Sequence, residues 1–512
     1  MVPRLLRIAA LLGCGMLANP ALAQDQMHQH MHRTSEKVDG GLGVVHFSTS
    51  GSPRAQAHFL HGLLLLHSFE YTAARDAFES AWKAQPGFAM AIWGEALTYN
   101  HALWGEQDTE AARAVLARLG ATPEQRRARA PTPRERAYLA SVDQLYGEGD
   151  KAQRDARYSA ALQTIARRYP EDLDARSLYA LALLSLSGGQ RNVANYMRAA
   201  AEAEAVYDID RHHPGALHYL IHAYDDPVHA PLGLRAARLY SEVAPAASHA
   251  QHMPSHIYFA LGMWDDAIAA NIASLKVSRA EGDGGYHALL WLEYAYLQKN
   301  LRPEAAELVR SVAHDVAARP TRENRLRLAF ARATWLAETG GEDGPDARAV
   351  VDSSDVTFFV YFAVHDYVRG VTAAAHGDLD DARTALARLR GRYEHAGDGP
   401  TAVMAAWYDA TSAGDFAQAR AMASALDGTI QFYEGHHAAG LPLIQAAIDA
   451  TASLEFEYGP PWAAKPLDEL QGELLLADGQ RPAAAAAFRR TLATYPNRRL
   501  ALQGLAAAAV SP

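Results

Sequence analysis

The sequence predicts an all-α protein built as a solenoid of helical hairpins. Apolar residues make up 49% of the 512 residues, and they recur in helix-length patterns separated by Gly and Pro. No clear alternating strand pattern appears, and the chain repeats with a period of about 34 residues. Such a period indicates hairpins that cannot bury their apolar faces alone and therefore stack into an array with a concave surface.

The residues that carry the repeat identify its type. Near the N-terminus the spacing is carried by a small residue, two alanines, a phenylalanine and a proline: Gly62, Ala74, Phe78, Ala81 and Pro86. A second copy lies near the other end: Gly472, Ala484, Phe488 and Pro496. This spacing is typical of the tetratricopeptide repeat (TPR), in which the small residues let helix A pack closely on helix B and the proline ends helix B.

The N-terminus has the features of a secretory signal peptide. Two arginines precede an apolar stretch at residues 8–17, and Ala21 and Ala23 form a small-residue cleavage pattern. The minor alternative is a lipoprotein signal that anchors the chain at Cys14, but the apolar run before it is short. No later segment has the length of a membrane span. We therefore expect removal of residues 1–23 and a periplasmic or secreted protein.

Loop-forming sequence divides the rest of the chain. Gly- and acid-rich stretches at residues 281–285 and 339–345 interrupt the helical pattern, and the second is the expected boundary between two sub-arrays. The expected parts are a signal peptide (1–23), a flexible Met/His-containing tail (24–50), an N-terminal TPR array carrying a His cluster (51–280), a TPR repeat and linker (281–345), and a C-terminal TPR array (346–512).

Composition excludes several function classes. The net charge of -10 argues against a nucleic-acid partner, because phosphates are bound by Lys and Arg. A single cysteine excludes an internal disulfide and a Cys-based zinc site. Histidine, with 23 copies, is the remaining chemical signal, and eight of these copies lie between positions 212 and 256.

The clustered histidines share one register. His218 and His222 lie four residues apart, as do His252 and His256, and 34 residues separate the two pairs. Residues four apart share one face of a helix. In the TPR register these pairs occupy the fifth and ninth positions of consecutive repeats, which face the concave groove. The same register places six more residues on this face: His249, His287, Asp225, Asp226, His67 and His101.

This pattern predicts a transition-metal site. Neutral imidazole is the commonest metal ligand, and two histidines at i and i+4 can bind one ion that a neighbouring helix completes. The predicted ligands are His218, His222, His249, His252 and His256, with His67, His101 and His287 as further candidates. Asp225, Asp226 and Tyr219 are candidate catalytic acids or bases. Copper is favoured because residues 27–32 read Met-His-Gln-His-Met-His, while zinc and iron also fit imidazole ligands.

Four blocks resemble segments found in a large group of exported bacterial TPR proteins. They are residues 213–227 (HPGALHYLIHAYDDP), 249–257 (HAQHMPSHI), 90–101 (MAIWGEALTYNH) and 457–466 (EYGPPWAAKP). The match runs from about residue 45 to 504, and its His-x-x-x-His and His-x-x-His-Met-x-x-His blocks are more specific than the TPR spacing. The resemblance implies the fold and a shared histidine site, and it implies no particular reaction.

Three functions fit these observations. The first is a metal-dependent enzyme, an oxidoreductase or else a hydrolase, acting on a small molecule or peptide in the groove. The second is a non-catalytic copper- or zinc-binding protein in metal handling. The third is a TPR scaffold for an envelope protein or peptide. The enzyme is favoured, because Tyr, Trp and Asp accompany the histidines. No nucleotide cofactor is implied.

Overall fold

Paired helices run through the part of the chain that the computed structural model describes. That part comprises residues 40–187, 191–280, 285–341, 344–353, 359–395, 413–452, 454 and 459–510. The expected signal peptide and the Met/His segment at residues 27–32 lie outside it.

The helices follow one another with short connections, as expected of a TPR-type array. The first group is α1 (Pro53–His67), α2 (Tyr71–Ala84), α3 (Ala89–Leu97), α4 (Thr109–Leu119), α5 (Pro123–Arg129), α6 (Pro133–Leu145), α7 (Lys151–Arg168) and α8 (Leu173–Ser185). The second is α9 (Val193–Tyr207), α10 (Pro214–Ala223), α11 (Ala230–Val243), α12 (Ser248–His252), α13 (Pro254–Leu261), α14 (Trp264–Ala280), α15 (Tyr286–Gln298) and α16 (Arg302–Ala318). The third is α17 (Arg322–Thr339), α18 (Val360–Ala375), α19 (Leu379–His395), α20 (Ala413–Tyr433), α21 (His437–Thr451), α22 (Leu467–Ala477), α23 (Arg481–Thr494) and α24 (Arg499–Ala509).

A two-residue hairpin sits in the connection after α3. Its strands are β1 (Asn100–His101) and β2 (Glu106–Gln107), paired antiparallel with His101 opposite Glu106. The all-α, TPR-type solenoid predicted from the sequence is otherwise confirmed.

The predicted repeat packing is confirmed at both ends of the array. The ring of Phe78 lies so close to Gly62 that an added Cβ would approach it to 2.8 Å, and it packs equally tightly on Gly94 of the next repeat. Near the C-terminus, Phe488 packs in the same way on Gly472 and Gly504. A side chain at any of these glycines would push the helices apart.

The array bends back on itself near its N-terminus. The Gly41 carbonyl accepts a hydrogen bond of 2.9 Å from Ala246 N, and the Tyr240 hydroxyl lies 3.3 Å from Ser68 Oγ. The end of α1 therefore lies against α10 and α11, more than 150 residues later in the chain. Residues 42, 45 and 47 of the expected flexible tail are buried in this arrangement, so residues 40–50 are part of the packed array.

The C-terminal hairpins also return to the middle of the chain. The Asn497 carbonyl accepts a hydrogen bond of 3.1 Å from the Trp264 indole. Arg498, which has no exposed surface, pairs with Glu338 at 2.5 Å and with Glu469 at 2.6 Å. Buried charge pairs of this kind hold α17, α22 and the start of α24 in a fixed arrangement.

The apolar core divides at α15 rather than at the expected boundary of residues 339–345. Trp291 and Tyr294 of α15 belong to the N-terminal core, whereas Leu290 and Leu297 belong to the next one. Residues on both sides of the 339–345 loop share this second core. Among the described residues, none of the helices combines the length and hydropathy needed to traverse a bilayer.

Candidate metal centre

Six of the predicted histidines gather in two groups on neighbouring helices. His218, His222 and His249, from α10 and α12, form the inner trio. The outer trio consists of His252, His256 and His287, from α12, α13 and α15. In each trio the ligand nitrogens lie within 4.8 Å of one another.

The inner trio brings three imidazole nitrogens together at one point. His218 Nε2 lies 3.0 Å from His222 Nε2 and 3.1 Å from His249 Nε2. In a tetrahedral site with metal–nitrogen bonds of about 2.0–2.1 Å, neighbouring ligand nitrogens are about 3.3 Å apart. The observed spacing is therefore close to that of nitrogens around one ion.

Hydrogen bonding fixes which nitrogen of His218 carries its proton. Its Nδ1–H donates to the His67 carbonyl oxygen at 2.6 Å, so Nε2 presents a lone pair to the trio. A neutral imidazole nitrogen has one such lone pair and cannot accept good hydrogen bonds from both His222 and His249. A cation at this point would satisfy all three nitrogens.

The outer trio is anchored by two side chains outside it. His252 Nδ1–H donates to Asn271 Oδ1 at 2.7 Å, and the Asn271 amide nitrogen in turn donates to the Ala267 carbonyl. His256 Nδ1–H donates to Asp225 Oδ2 at 2.5 Å. Metal-bound histidines almost always donate their second N–H in this way, which orients the ring and makes the ligand nitrogen more basic.

His252 also carries a nitrogen that has no hydrogen-bond partner among the described residues. This atom, Nε2, is buried, and the whole residue is only 2% exposed. Leaving a buried polar atom unpaired costs about 1–3 kcal/mol, so such an atom calls for an explanation. Because Asn271 engages Nδ1, Nε2 is the ring nitrogen that remains to bind an ion.

Burial keeps these imidazoles neutral. It lowers the pKa of His218 to about 3. Burial, reinforced by the neighbouring imidazoles, lowers the pKa of His222, His249 and His252 well below the usual 6.5. Neutral imidazole is the form that binds metal, so these four rings have no imidazolium proton to lose at pH 7 before an ion binds.

A buried network supports the inner trio from behind. His67 Nε2–H donates to Asp174 at 2.9 Å, and the Tyr219 hydroxyl donates to His67 Nδ1 at 2.9 Å. His213 Nε2 lies 3.4 Å from the same carboxylate. Burial raises the pKa of Asp174, but the neighbouring imidazoles of His213 and His67 outweigh it and hold that pKa below its usual value. Both ring nitrogens of His67 are engaged by Tyr219 and Asp174. His67 therefore positions His218 through its backbone carbonyl, which accepts the hydrogen bond from His218 Nδ1–H.

Gly215 makes room for this network. A Cβ added at Gly215 would overlap the His67 ring, so the start of α10 approaches α1 closely only because the residue is glycine.

His101 lies apart from both trios. Helix α3 ends at Leu97, so His101 falls in strand β1 and not on the helical face that the repeat register assumes. Its Nδ1 lies 3.1 Å from Glu106 Oε2, and its ring stacks on Tyr71 with centroids 4.1 Å apart. Other aromatic rings lie between it and the inner trio: Trp104 contacts both His101 and His249, and Tyr71 stacks on Phe69.

The three candidate acid/base residues are held in hydrogen bonds. Asp225 binds His256, and Tyr219 binds His67. Asp226 pairs with Arg191 and accepts a hydrogen bond of 2.7 Å from His229 Nδ1–H. These contacts favour roles in positioning, and a catalytic role for any of the three stays a prediction.

Aromatic rings that the sequence did not single out enclose the trios. Phe69 lies against all three rings of the inner trio, with centroids 4.3 Å from His218. It does so with φ of +58°, a left-handed conformation that disfavours non-glycine residues. The centroid of the Trp291 ring lies 4.4 Å from that of His256 and 4.9 Å from that of His252. Neither Phe69 nor Trp291 falls at a position that the groove register marks.

A cavity of about 280 Å³ opens beside both trios. Its wall includes His249 of the inner trio, His252 and His287 of the outer trio, and the charged residues Glu70 and Arg327. This volume suits a small polar molecule. A larger groove of about 770 Å³ lies along α21 and α22, and no member of either trio lines it.

Comparisons with known proteins give likenesses of fold only. No family model matches the chain, and no curated protein matches it. Among solved structures, the crystal structure of Ypp1 is 8% identical with a TM-score of 0.46, covering 97% of this chain and 90% of that one.

Two further solved structures are repeat proteins. The P58(IPK) TPR domain is 11% identical with a TM-score of 0.22, covering 89% of this chain and 97% of that one. A tetratricopeptide repeat protein from Parabacteroides merdae is 13% identical with a TM-score of 0.24, covering 73% and 98%. These likenesses carry no function to this chain. By its own packing the chain is a TPR-type helical solenoid with a histidine-lined cavity.

Proposed function

We propose that this chain is an exported metal-dependent enzyme whose two histidine trios hold a transition metal beside a substrate cavity. The observation that carries the proposal is the convergence of three imidazole nitrogens at His218 Nε2, which hydrogen bonds alone cannot satisfy. The fixed orientation of His252 and His256 supports it, because both direct their Nδ1–H groups away from the trio.

The donor set favours a borderline or soft transition metal. All six candidate ligands are imidazoles, which suit copper, zinc, iron and nickel, and the described residues include no cysteine that could supply a thiolate. Copper is favoured by the Met/His sequence at residues 27–32, and it would supply redox chemistry. Zinc would instead supply Lewis-acid chemistry for hydrolysis.

Catalysis is favoured over simple metal handling by the cavity. His249, His252 and His287 reach its wall, so a bound molecule could contact a metal held by the trios. Glu70 and Arg327 line the same space and offer charges of both signs to orient a polar substrate.

Metal content and turnover test this proposal together. The full chain would carry His28→Ala, His30→Ala and His32→Ala, so that the N-terminal segment adds no metal. After loading with Cu(II) or Zn(II) and desalting, inductively coupled plasma mass spectrometry should find bound metal that a His218→Ala/His256→Ala double variant lacks. The exposed His314 gives a matched control, and His314→Ala should keep the metal.

Activity assays on the same samples decide between the functions. Oxidase assays would be run on the copper form and hydrolase panels on the zinc form, with the double variant as the blank. Turnover that requires both metal and intact trios supports the enzyme. Bound metal without turnover would indicate metal handling, and a folded chain that binds no metal would overturn the proposal and leave the TPR scaffold.

A further inference from the structure

The two trios have separate geometries and separate supports. Among the described residues, the six ligand nitrogens fall into two groups of three and not into one group. The inner trio is held by the His67 carbonyl oxygen, whereas the outer trio is held by Asn271 and Asp225. Each trio therefore has its own means of fixing ligand nitrogens.

Each trio also contains nitrogen lone pairs that a bound cation would satisfy. In the inner trio, one lone pair on His218 faces two neighbouring nitrogens at 3.0 and 3.1 Å. In the outer trio, Asn271 fixes the buried Nε2 of His252 as an acceptor, and no described residue donates a hydrogen bond to it. A single ion in the inner trio would not satisfy the lone pair of His252 Nε2. A single ion in the outer trio would not satisfy the three nitrogens that converge at His218 Nε2.

The trios are nevertheless close enough to work as one centre. The rings of His222 and His256 have centroids 5.9 Å apart, and those of His249 and His252 are 6.5 Å apart. Three protein ligands per ion leave at least one coordination position open in a tetrahedral site. The open positions would face a shared space, which the cavity wall at His249, His252 and His287 borders.

We infer that the centre is dinuclear, with one transition-metal ion in the inner trio and a second in the outer trio. This inference rests on the proposed function, because it concerns the same cluster. Its chemical consequence is that a small polar substrate with oxygen or nitrogen donors could meet both ions at once, as substrates do in two-metal sites.

The test compares one variant of each trio. His222 is only half-buried and His287 is exposed, so truncating them disturbs the core less than truncating a hydrogen-bonded ring such as His218. All proteins in this test also carry His28→Ala, His30→Ala and His32→Ala. With only these three changes, the chain loaded with Zn(II) should hold two equivalents of zinc. His222→Ala and His287→Ala should each hold one, and the double variant none. The His314→Ala control should hold two.

A magnetic measurement on the Cu(II) form tests whether the ions are neighbours. Two adjacent Cu(II) ions couple, so the parent protein should give a broadened or diminished electron paramagnetic resonance signal. His222→Ala and His287→Ala should each give the ordinary signal of one isolated Cu(II). Circular dichroism verifies folding, and His249→Gln or His287→Gln replaces any alanine variant that does not fold.

The outcomes separate this inference from the proposed function. One equivalent in the parent protein, lost in both single variants, would overturn the dinuclear centre and leave a mononuclear enzyme. Two equivalents without magnetic coupling would also overturn it, because the ions would not share a centre. No metal in the parent protein would overturn the inference and the proposed function together.

Discussion

At the scale of single residues, Asp225 shows how a side chain acts through its neighbour. The sequence offers it as a catalytic acid or base, and the structure places its carboxylate on His256 Nδ1 at 2.5 Å. A carboxylate in this position orients the ring and strengthens it as a ligand.

We predict that Asp225→Ala weakens metal binding by about 10–100-fold, the usual effect of losing such a partner. The metal affinity of Asp225→Asn should lie between those of the parent protein and Asp225→Ala, because the amide oxygen can still accept a hydrogen bond from His256 Nδ1–H. The measurement is a competition titration with a chelator. Unchanged metal affinity with lost turnover would instead establish Asp225 as an acid or base.

His365 gives a residue-scale prediction about pH that does not involve the trios. Burial lowers the pKa of His365 to about 4, although its Nε2–H donates to the Ala347 carbonyl at 2.8 Å. The folded state therefore favours the neutral ring. Its stabilising contribution is fully present above the unfolded pKa of about 6.5, and it is lost as the pH falls towards 4.

We expect His365→Gln to make the metal-free protein less sensitive to acid. Gln can still donate to the Ala347 carbonyl but does not titrate. Between pH 7 and pH 4 the parent protein should lose up to about 3 kcal/mol more free energy of unfolding than the variant. Urea unfolding with a chelator present measures this, and parallel losses in both proteins would contradict the assigned pKa shift.

At the scale of elements, the contact between α1 and α10 positions the inner trio. Its closest point is Gly215 against the His67 ring, and His67 in turn holds His218. The helix end at Ser68 and the left-handed Phe69 complete this contact. Local chain geometry around α1 therefore determines where a ligand on another helix lies.

We predict that Gly215→Ala destabilises the protein by about 1–3 kcal/mol through overpacking and also weakens metal binding. The helix propensity of alanine offsets about 1 kcal/mol of this at most. A double-mutant cycle with His67→Ala provides the control, because removing the ring removes the overlap. If Gly215→Ala costs as much without the His67 ring as with it, the steric explanation is wrong.

At the scale of the whole molecule, Arg498 joins distant parts of the array. It lies between Glu338 of α17 and Glu469 of α22, and its guanidinium also donates to the Tyr294 hydroxyl of α15 at 2.9 Å. Lys465 adds a second cation 3.2 Å from Glu469. Buried charges of this kind are compatible with a stable fold only when each one has an oppositely charged partner.

We predict that Arg498→Ala destabilises the protein by about 3–5 kcal/mol, because it leaves two buried carboxylates without their partner. Hydrogen exchange should show the largest loss of protection in residues 459–510. The half-exposed Arg490, which pairs with Asp468 at 2.7 Å, is the control. Arg490→Ala should change stability by about 1 kcal/mol or less. Equal effects of the two substitutions would contradict a special role for the buried pair.

The amino-acid sequence is sufficient to predict the fold class and to locate the clustered histidines. Apolar periodicity, the repeat of about 34 residues and the Gly–Phe packing pairs are local signals, and the structure confirms the helical hairpins that they predict. The clustered histidines were also visible, because a residue four positions away on a helix must share a face with the first. The same local reasoning failed for His101, since it assumed that α3 continues beyond Leu97.

The division of the histidines into two trios, and the contacts that support each trio, come from the tertiary structure. His249 completes one trio and His287 the other. The sequence predicts that His218 and His222 face His252 and His256, and it leaves open whether they hold one ion or more. The supporting contacts join residues far apart in the chain, such as His67 with His218, 151 positions later. Such contacts depend on how the whole array bends back on itself, and a repeat register records only the position of a residue within its own hairpin.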